Sequence, residues 1–144
     1  MKILLIDDDA YWSRGFIQAL EWEGWQVTHV TSAQAGLARA TEERFDLILL
    51  DVMMPPDEAV PEAQEDGHST GLWLLKRLHA RLGPEQVISL LTARVDLHPK
   101  EWEGMAKEYI MKTTPTREIV REISELKSRG GRFPSRTREE KRKI

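Results

Sequence analysis

Two short apolar runs in this chain each end in carboxylates. Ile3-Leu4-Leu5-Ile6 leads straight into Asp7, Asp8 and Asp9, and Leu47-Ile48-Leu49-Leu50 leads straight into Asp51, with Val52-Met53-Met54-Pro55 behind it. An unbroken apolar run of this length reads as a strand buried on both faces, as in parallel sheets. If the two runs are neighbouring parallel strands, Asp7, Asp8 and Asp51 emerge at one carboxyl edge, where open α/β sheets bind ligands. Carboxylates crowded there repel and raise one another's pKa unless a hard cation lies among them. An oxygen-only set, without His or Cys, suits Mg²⁺. Two further residues reach the same edge. Thr92 follows Val87-Ile88-Ser89-Leu90-Leu91, and Lys112 follows Tyr109-Ile110-Met111. A carboxylate nucleophile, an acid pair for a metal, a hydroxyl and a lysine together form the inventory of phosphoryl transfer.

The elements that must position these groups alternate five times. Strands are predicted at 2–6, 26–30, 46–50, 87–91 and 108–111. The first helix should open at Asp8 or Asp9 as N-cap and stop before Gly24, burying Trp12, Phe16, Ala19 and Leu20 at helical spacing. Ser32 caps a second helix carrying Ala35, Leu37, Ala38 and Ala40. Ser69 or Thr70 caps a third, which ends at Gly83-Pro84. A fourth is expected around Pro99 to Met105, on the weakest pattern of the five. The fifth starts at Thr114-Pro115 with proline at its first position and carries Ile119, Val120, Ile123 and Leu126. Strands alternating with helices mean βαβ units and a parallel sheet, so the chain is an α/β, (βα)₅ doubly wound domain. Segment 52–70 breaks the rhythm. It is far longer than the ~4–6 residues usual for a connection. It holds Asp57, Glu58, Glu62, Glu65 and Asp66, together with Pro55, Pro56 and Pro61.

Composition narrows the classes. With 144 residues, 40% hydrophobic and 31% charged, the chain is one ordinary globular domain. It contains no cysteine, which excludes a disulfide framework, a zinc knuckle and a cysteine nucleophile. The N-terminal apolar run is too short for a signal peptide or a membrane span, so a cytoplasmic location and no membrane partner are expected. The net charge of −3 is split, with +5 in residues 129–144 and −8 in residues 1–128. The basic end, with Gly130-Gly131 and Pro134, is expected to be a disordered tail or linker, capable at most of weak contact with nucleic acid.

The whole set resembles the receiver domain of bacterial two-component response regulators. The matching stretches are Leu4-Leu5-Ile6-Asp7-Asp8-Asp9, Asp46 to Pro55, Leu91-Thr92-Ala93 and Tyr109-Ile110-Met111-Lys112. Each is weak alone; all four in this order and spacing are specific, and the resemblance runs from residue 2 to about 128. It implies a flavodoxin-like five-stranded parallel sheet in the order 2-1-3-4-5 and a phosphorylation-dependent signalling switch. Asp51 would accept phosphate from a sensor histidine kinase or histidine phosphotransfer protein. Asp7, Asp8, Asp51 and the backbone carbonyl of Met53 would hold Mg²⁺. Lys112 and Thr92 would contact the phosphoryl group. Tyr109 would report the change to the face of helix 4, strand 5 and helix 5, a possible homodimer surface. Ile17, off the core stripe of helix 1, could help dock the phosphodonor protein. No output domain is in view, so DNA contact would need a domain beyond this chain.

Each residue also has an ordinary alternative. Asp7 and Asp8 could merely cap helix 1, a role left to Asp9. Thr92 and Lys112 taken singly would be surface residues, and Tyr109 could be plain packing. The tryptophans (12, 22, 25, 73, 102) should mostly be core or half-buried rather than a cofactor cage, and the histidines (29, 68, 79, 98), which share no ligand spacing, should lie at the surface. Three departures from the family pattern stand out. Thr113, not proline, follows Lys112, and a cis non-proline bond costs about 2.5–4 kcal/mol, so that loop either holds strain or takes another geometry. The long acidic segment at about 56–70 is either a lid restricting phosphodonors or a tolerated insertion. Met53 and Arg94 flank the family's water path, which implies slow autodephosphorylation. Rival readings are a receiver that signals without phosphorylation and a Mg²⁺-dependent aspartyl phosphatase. The phosphatase would need an aspartate where Met53 stands. A nucleotide or flavin domain would need a glycine-rich loop after the first strand, where the acidic triplet stands instead.

Overall fold

The computed structural model of the chain describes residues 1–65, 69–93 and 97–128; Asp66, His68, Arg94 and the basic tail 129–144 lie outside the described residues. Five strands, β1 (Lys2–Ile6), β2 (Gln26–Val30), β3 (Leu47–Leu50), β4 (Ile88–Thr92) and β5 (Glu108–Met111), form one sheet in the order β2-β1-β3-β4-β5. Every neighbouring pair is parallel. Four α-helices are described: α1 (Ala10–Trp22), α2 (Ala33–Glu42), α3 (Thr70–Leu82) and α4 (Thr116–Ser128). This is the expected flavodoxin-like architecture.

Period-2 alternation divides the apolar strand residues between two cores. Ile3, Leu5, Leu47, Leu49, Leu91 and Ile110 face α1 and α4, where they meet Phe16, Leu20, Ile119 and Ile123. Leu4, Ile6, Ile48, Leu50, Ile88 and Leu90 face the other way, onto α2 and α3. β1, β3 and β4 are therefore buried on both sides, which is why Ile3–Ile6 and Leu47–Leu50 read as unbroken apolar runs and β4 is interrupted only by Ser89 before it ends at Thr92.

The helix ends follow local chemistry. Asp9 caps α1 by accepting from the Trp12 N–H at 3.0 Å, and Ser32 caps α2 by accepting from Ala35 N–H at 3.1 Å. Ser69 stands at the cap of α3 without a side-chain cap bond. Pro115 lies one position ahead of α4 and closes its first turn, its carbonyl accepting from Glu118 and Ile119.

The predicted helix between β4 and β5 is not there. In its place Pro99–Glu101 form a single 3₁₀ turn, closed by a reciprocal cap in which His98 Nδ1 accepts from Lys100 N–H and Glu101 accepts from His98 N–H. Gly104, at φ 85°, then turns the chain back. Proline at one end and a left-handed glycine so soon after it leave no room for a helix of stable length. Leu97, Trp102 and Ala106 nevertheless plug the core, each 1% exposed.

Trp22 is 90% exposed, because it lies two residues past Leu20 and so turns away from the Phe16–Leu20 stripe. The described part of the long segment after β3 is anchored to helices. Asp57 accepts from Gln34 N–H at the start of α2 (2.9 Å) and from Ala59 N–H (2.9 Å). Val60 and Ala63 are fully buried, and Glu62 pairs with Arg77 of α3.

Candidate functional site

Register sets the site. Ile6 lies opposite Leu50, so the residues that follow them, Asp7 and Asp51, leave the sheet side by side. Asp51 N–H donates to the Ile6 carbonyl (2.9 Å) and Asp7 N–H to the Val30 carbonyl (3.0 Å), which carries the ladder to its last residue. One carboxylate oxygen from each of Asp7, Asp8 and Asp51 falls within 4.8 Å of the others. Asp7 and Asp51 are buried, whereas Asp8 is exposed. Asp7 Oδ1 accepts from Asp9 N–H at 2.8 Å, and Asp51 Oδ1 accepts from Met53 N–H at 3.1 Å, which fixes both carboxyl planes.

Lys112 reaches the same point from β5. Its N–H donates to the Thr92 carbonyl (2.8 Å), tying the two strand ends together. Its Nζ lies 2.7 Å from Asp7 Oδ2 and 3.2 Å from Asp51 Oδ2. The Lys112–Thr113 peptide is trans, so this loop takes the second of the two geometries open to it. Thr92 is fully buried as the last residue of β4, opposite Met111. Since Leu50 lies opposite Leu90, Thr92 stands one residue beyond the level of Asp51 on the adjacent strand. Tyr109 is buried in the core that faces α2 and α3. Its ring stacks on Trp102 at 5.9 Å and its hydroxyl donates to Met111 Sδ at 2.8 Å. Met53 exposes its side chain beside Asp51.

Two neighbours of the site were not assigned these contacts from sequence. His29 Nε2 lies 2.8 Å from the Asp7 carbonyl, a distance set by the pairing of His29 with Leu5; nothing in the sequence ties this histidine to the acids. Gly71 N–H donates to the Val52 carbonyl at 2.9 Å, and a Cβ on Gly71 would stand 2.1 Å from the Asp51 carbonyl oxygen. Only glycine lets α3 come this close to the Asp51 turn. The signal was the lone glycine just inside a helix.

The sequence profile of the response regulator receiver domain matches residues 3–124. The chain belongs to the response regulator receiver family. Among curated relatives, this receiver is 28% identical over 127 residues to the response regulator receiver protein CpdR of Brucella abortus, covering 87% of this chain and 95% of that one. It is 33% identical over 124 residues to an uncharacterized transcriptional regulatory protein, YkoG, of Bacillus subtilis, covering 84% of this chain and 48% of that one. The receiver thus spans nearly all of the first and about half of the second. Among solved structures, a CheY-like receiver domain from Methanospirillum hungatei superposes with a TM-score of 0.72 at 29% identity, over 89% of this chain and 94% of that one. The response regulator TrrA of Thermotoga maritima, solved in complex with Mg²⁺ and BeF, superposes at 0.69 with 24% identity, over 87% and 97%, and attests the fold. Among the described residues no helix is long and apolar enough to cross a membrane.

The receiver's acidic edge is electrostatically unbalanced, with three carboxylates facing one ammonium. Burial, reinforced by the charge of Asp7, pushes the Asp51 carboxyl up to about 7, against the opposing pull of Lys112 and the Met53 N–H. Asp8 is raised as well, by burial first and Asp7 second. Burial alone would lower the Lys112 ammonium, yet its hydrogen bond to Asp7 and the charges of Asp51 and Asp7 outweigh that and raise it. An excess of buried negative charge, presented only by oxygen donors, is what a divalent cation relieves.

Proposed function

We propose that this receiver is a signalling switch in which Asp51 accepts a phosphoryl group from a sensor histidine kinase or histidine phosphotransfer protein. The observation that carries this reading is Lys112 bridging two buried carboxylates at the edge of the sheet. The donor set fits Mg²⁺, which Asp7, Asp8, Asp51 and the Met53 carbonyl would hold. When bound, Mg²⁺ supplies positive charge to the phosphoryl oxygens and quiets the repulsion among the acids.

An Asp51 carboxylate oxygen attacks phosphorus in line with the leaving nitrogen. The new O–P bond forms as the P–N bond breaks, and the freed imidazole nitrogen takes up a proton. Lys112 then passes from Asp51 to the phosphoryl oxygens, and the Thr92 hydroxyl donates to another of them. One carboxylate charge becomes roughly −1.5 to −2 with three strong acceptors, and this drives the switch. Tyr109 and its stack on Trp102 report the change to a face built from segment 97–106, β5 and α4, where a partner or a second copy binds. This is self-assisted phosphotransfer rather than turnover of a substrate. It is placed in the cytoplasm, with any DNA contact made by a further domain of a longer protein. Ile17 on α1 remains the proposed docking contact for the phosphodonor protein.

Incubation with acetyl phosphate and Mg²⁺ should add one phosphoryl mass to the wild type and none to Asp51→Ala. A mass gain that survives in Asp51→Ala removes this function from Asp51. The exposed Met53 thioether offers no strong hydrogen bond to an attacking water, so Met53→Asn should shorten the phospho-Asp51 half-life, followed by loss of label after the donor is removed. An unchanged half-life takes that role from position 53.

A further inference from the structure

Trp12 stands on the first turn of α1, its N–H held by Asp9. Its ring centre lies 4.8 Å from Lys112 Nζ. The same ring packs 5.0 Å from Phe16, which is buried in the core between α1, α4 and the sheet. The Lys112 ammonium is therefore met from three directions: Asp7, Asp51 and an indole ring. Only 10% of its side chain is exposed.

Lysine is a point charge on a flexible four-carbon stem, and nothing in its own geometry fixes where the head sits. During phosphotransfer it must release the Asp51 carboxylate and engage phosphoryl oxygens without escaping into water. A hydrogen bond to a third acceptor would oppose that movement, because such bonds weaken steeply with angle. The attraction of a cation to a ring face is broad and tolerates a shift of the head across the ring.

We infer that Trp12 is a positioning residue for Lys112: its indole face holds the ammonium head in the site and keeps water from it while the lysine moves from Asp51 to the phosphoryl group. The inference rests on Asp51 being the phosphoacceptor. Trp12 touches neither the phosphoryl group nor the acids in this role and acts only through the lysine.

A double-mutant cycle on the acetyl phosphate reaction tests it. Trp12→Leu should slow phosphorylation of Asp51 about fivefold, and Trp12→Phe, which keeps a ring face, should recover most of that loss. In a Lys112→Met background, Trp12→Leu should change the rate hardly at all, because the group it positions is gone. Equal slowing in both backgrounds, or no slowing in either, overturns the inference. A second readout needs neither metal nor phosphate. The Lys112 ammonium protons should give a slowly exchanging ¹⁵N-correlated signal in the wild type, which Trp12→Leu should broaden into solvent exchange. A signal indifferent to Trp12→Leu also overturns the inference. Should Asp51 prove not to be phosphorylated at all, this signal still reports the Trp12–Lys112 contact, so the two failures stay separate.

Discussion

The acidic edge and the β4–β5 side of this receiver are built in opposite ways. At the edge, Asp7, Asp51 and Lys112 directly follow strands and Thr92 ends one, and the backbone ladder holds Asp7 against Asp51 whatever their charges prefer. Burial first, and the charge of Asp7 second, push the Asp51 carboxyl up there. Between β4 and β5 the segment 97–106 lies outside the strand ladder, and the expected helix is absent. A single turn carries Trp102 into the core, where it stacks on Tyr109. One region is polar, geometrically fixed and electrostatically strained. The other is apolar and held by packing. A charge added at the first should therefore be felt at the second only by disturbing an aromatic stack.

The sharpest way to break this contrast is to empty the packed side. Trp102→Ala should cost about 3–5 kcal/mol of stability in urea unfolding, while the phosphorylation rate of Asp51 stays close to wild type. A comparable collapse in rate would mean that the two regions are not separately built. The next effect probes the strained edge. Asp51 titrates at about 7 when folded, against 3.8 ordinarily, so between these values the folded chain holds a proton that the unfolded chain has lost. Stability in metal-free buffer should accordingly fall as pH rises through that window, by no more than about 4 kcal/mol. Asp51→Asn should remove its share of that fall. A wild-type profile indistinguishable from Asp51→Asn would show that folding does not raise the Asp51 carboxyl. The smallest effect concerns the backing of the edge. In Gly71→Ala the new Cβ must displace the Asp51 turn, at about 1–3 kcal/mol, with slower phosphorylation as a consequence. Unchanged stability and rate would show that α3 does not brace Asp51.

Legibility followed the same division. Asp7, Asp8, Asp51 and Lys112 could be placed from sequence because each ends an apolar run, and a run buried on both faces needs only local periodicity to be recognised. Thr92 was placed at the carboxyl end of its strand for the same reason, and the structure has it as the final residue of β4. The missing helix was misread because Trp102, Met105 and Ala106 carry helical spacing, while Pro99 and Gly104 leave too few residues between them to nucleate it. Composition alone left the acidic segment after β3 open between a lid and a tolerated insertion. Val60 and Ala63 are inconspicuous in a chain of acids and prolines, yet they reach the core between α2 and α3.

What the sequence determined alone was the order and type of the strands and the chemistry at their ends, because a doubly buried strand writes its own boundaries in apolar residues. Which way the indole of Trp12 faces, how near Gly71 comes to Asp51, and where Asp57 sends its carboxylate were decided only in three dimensions. Each depends on a partner from another element, Lys112, the Asp51 turn or the start of α2, and no local spacing records such a contact.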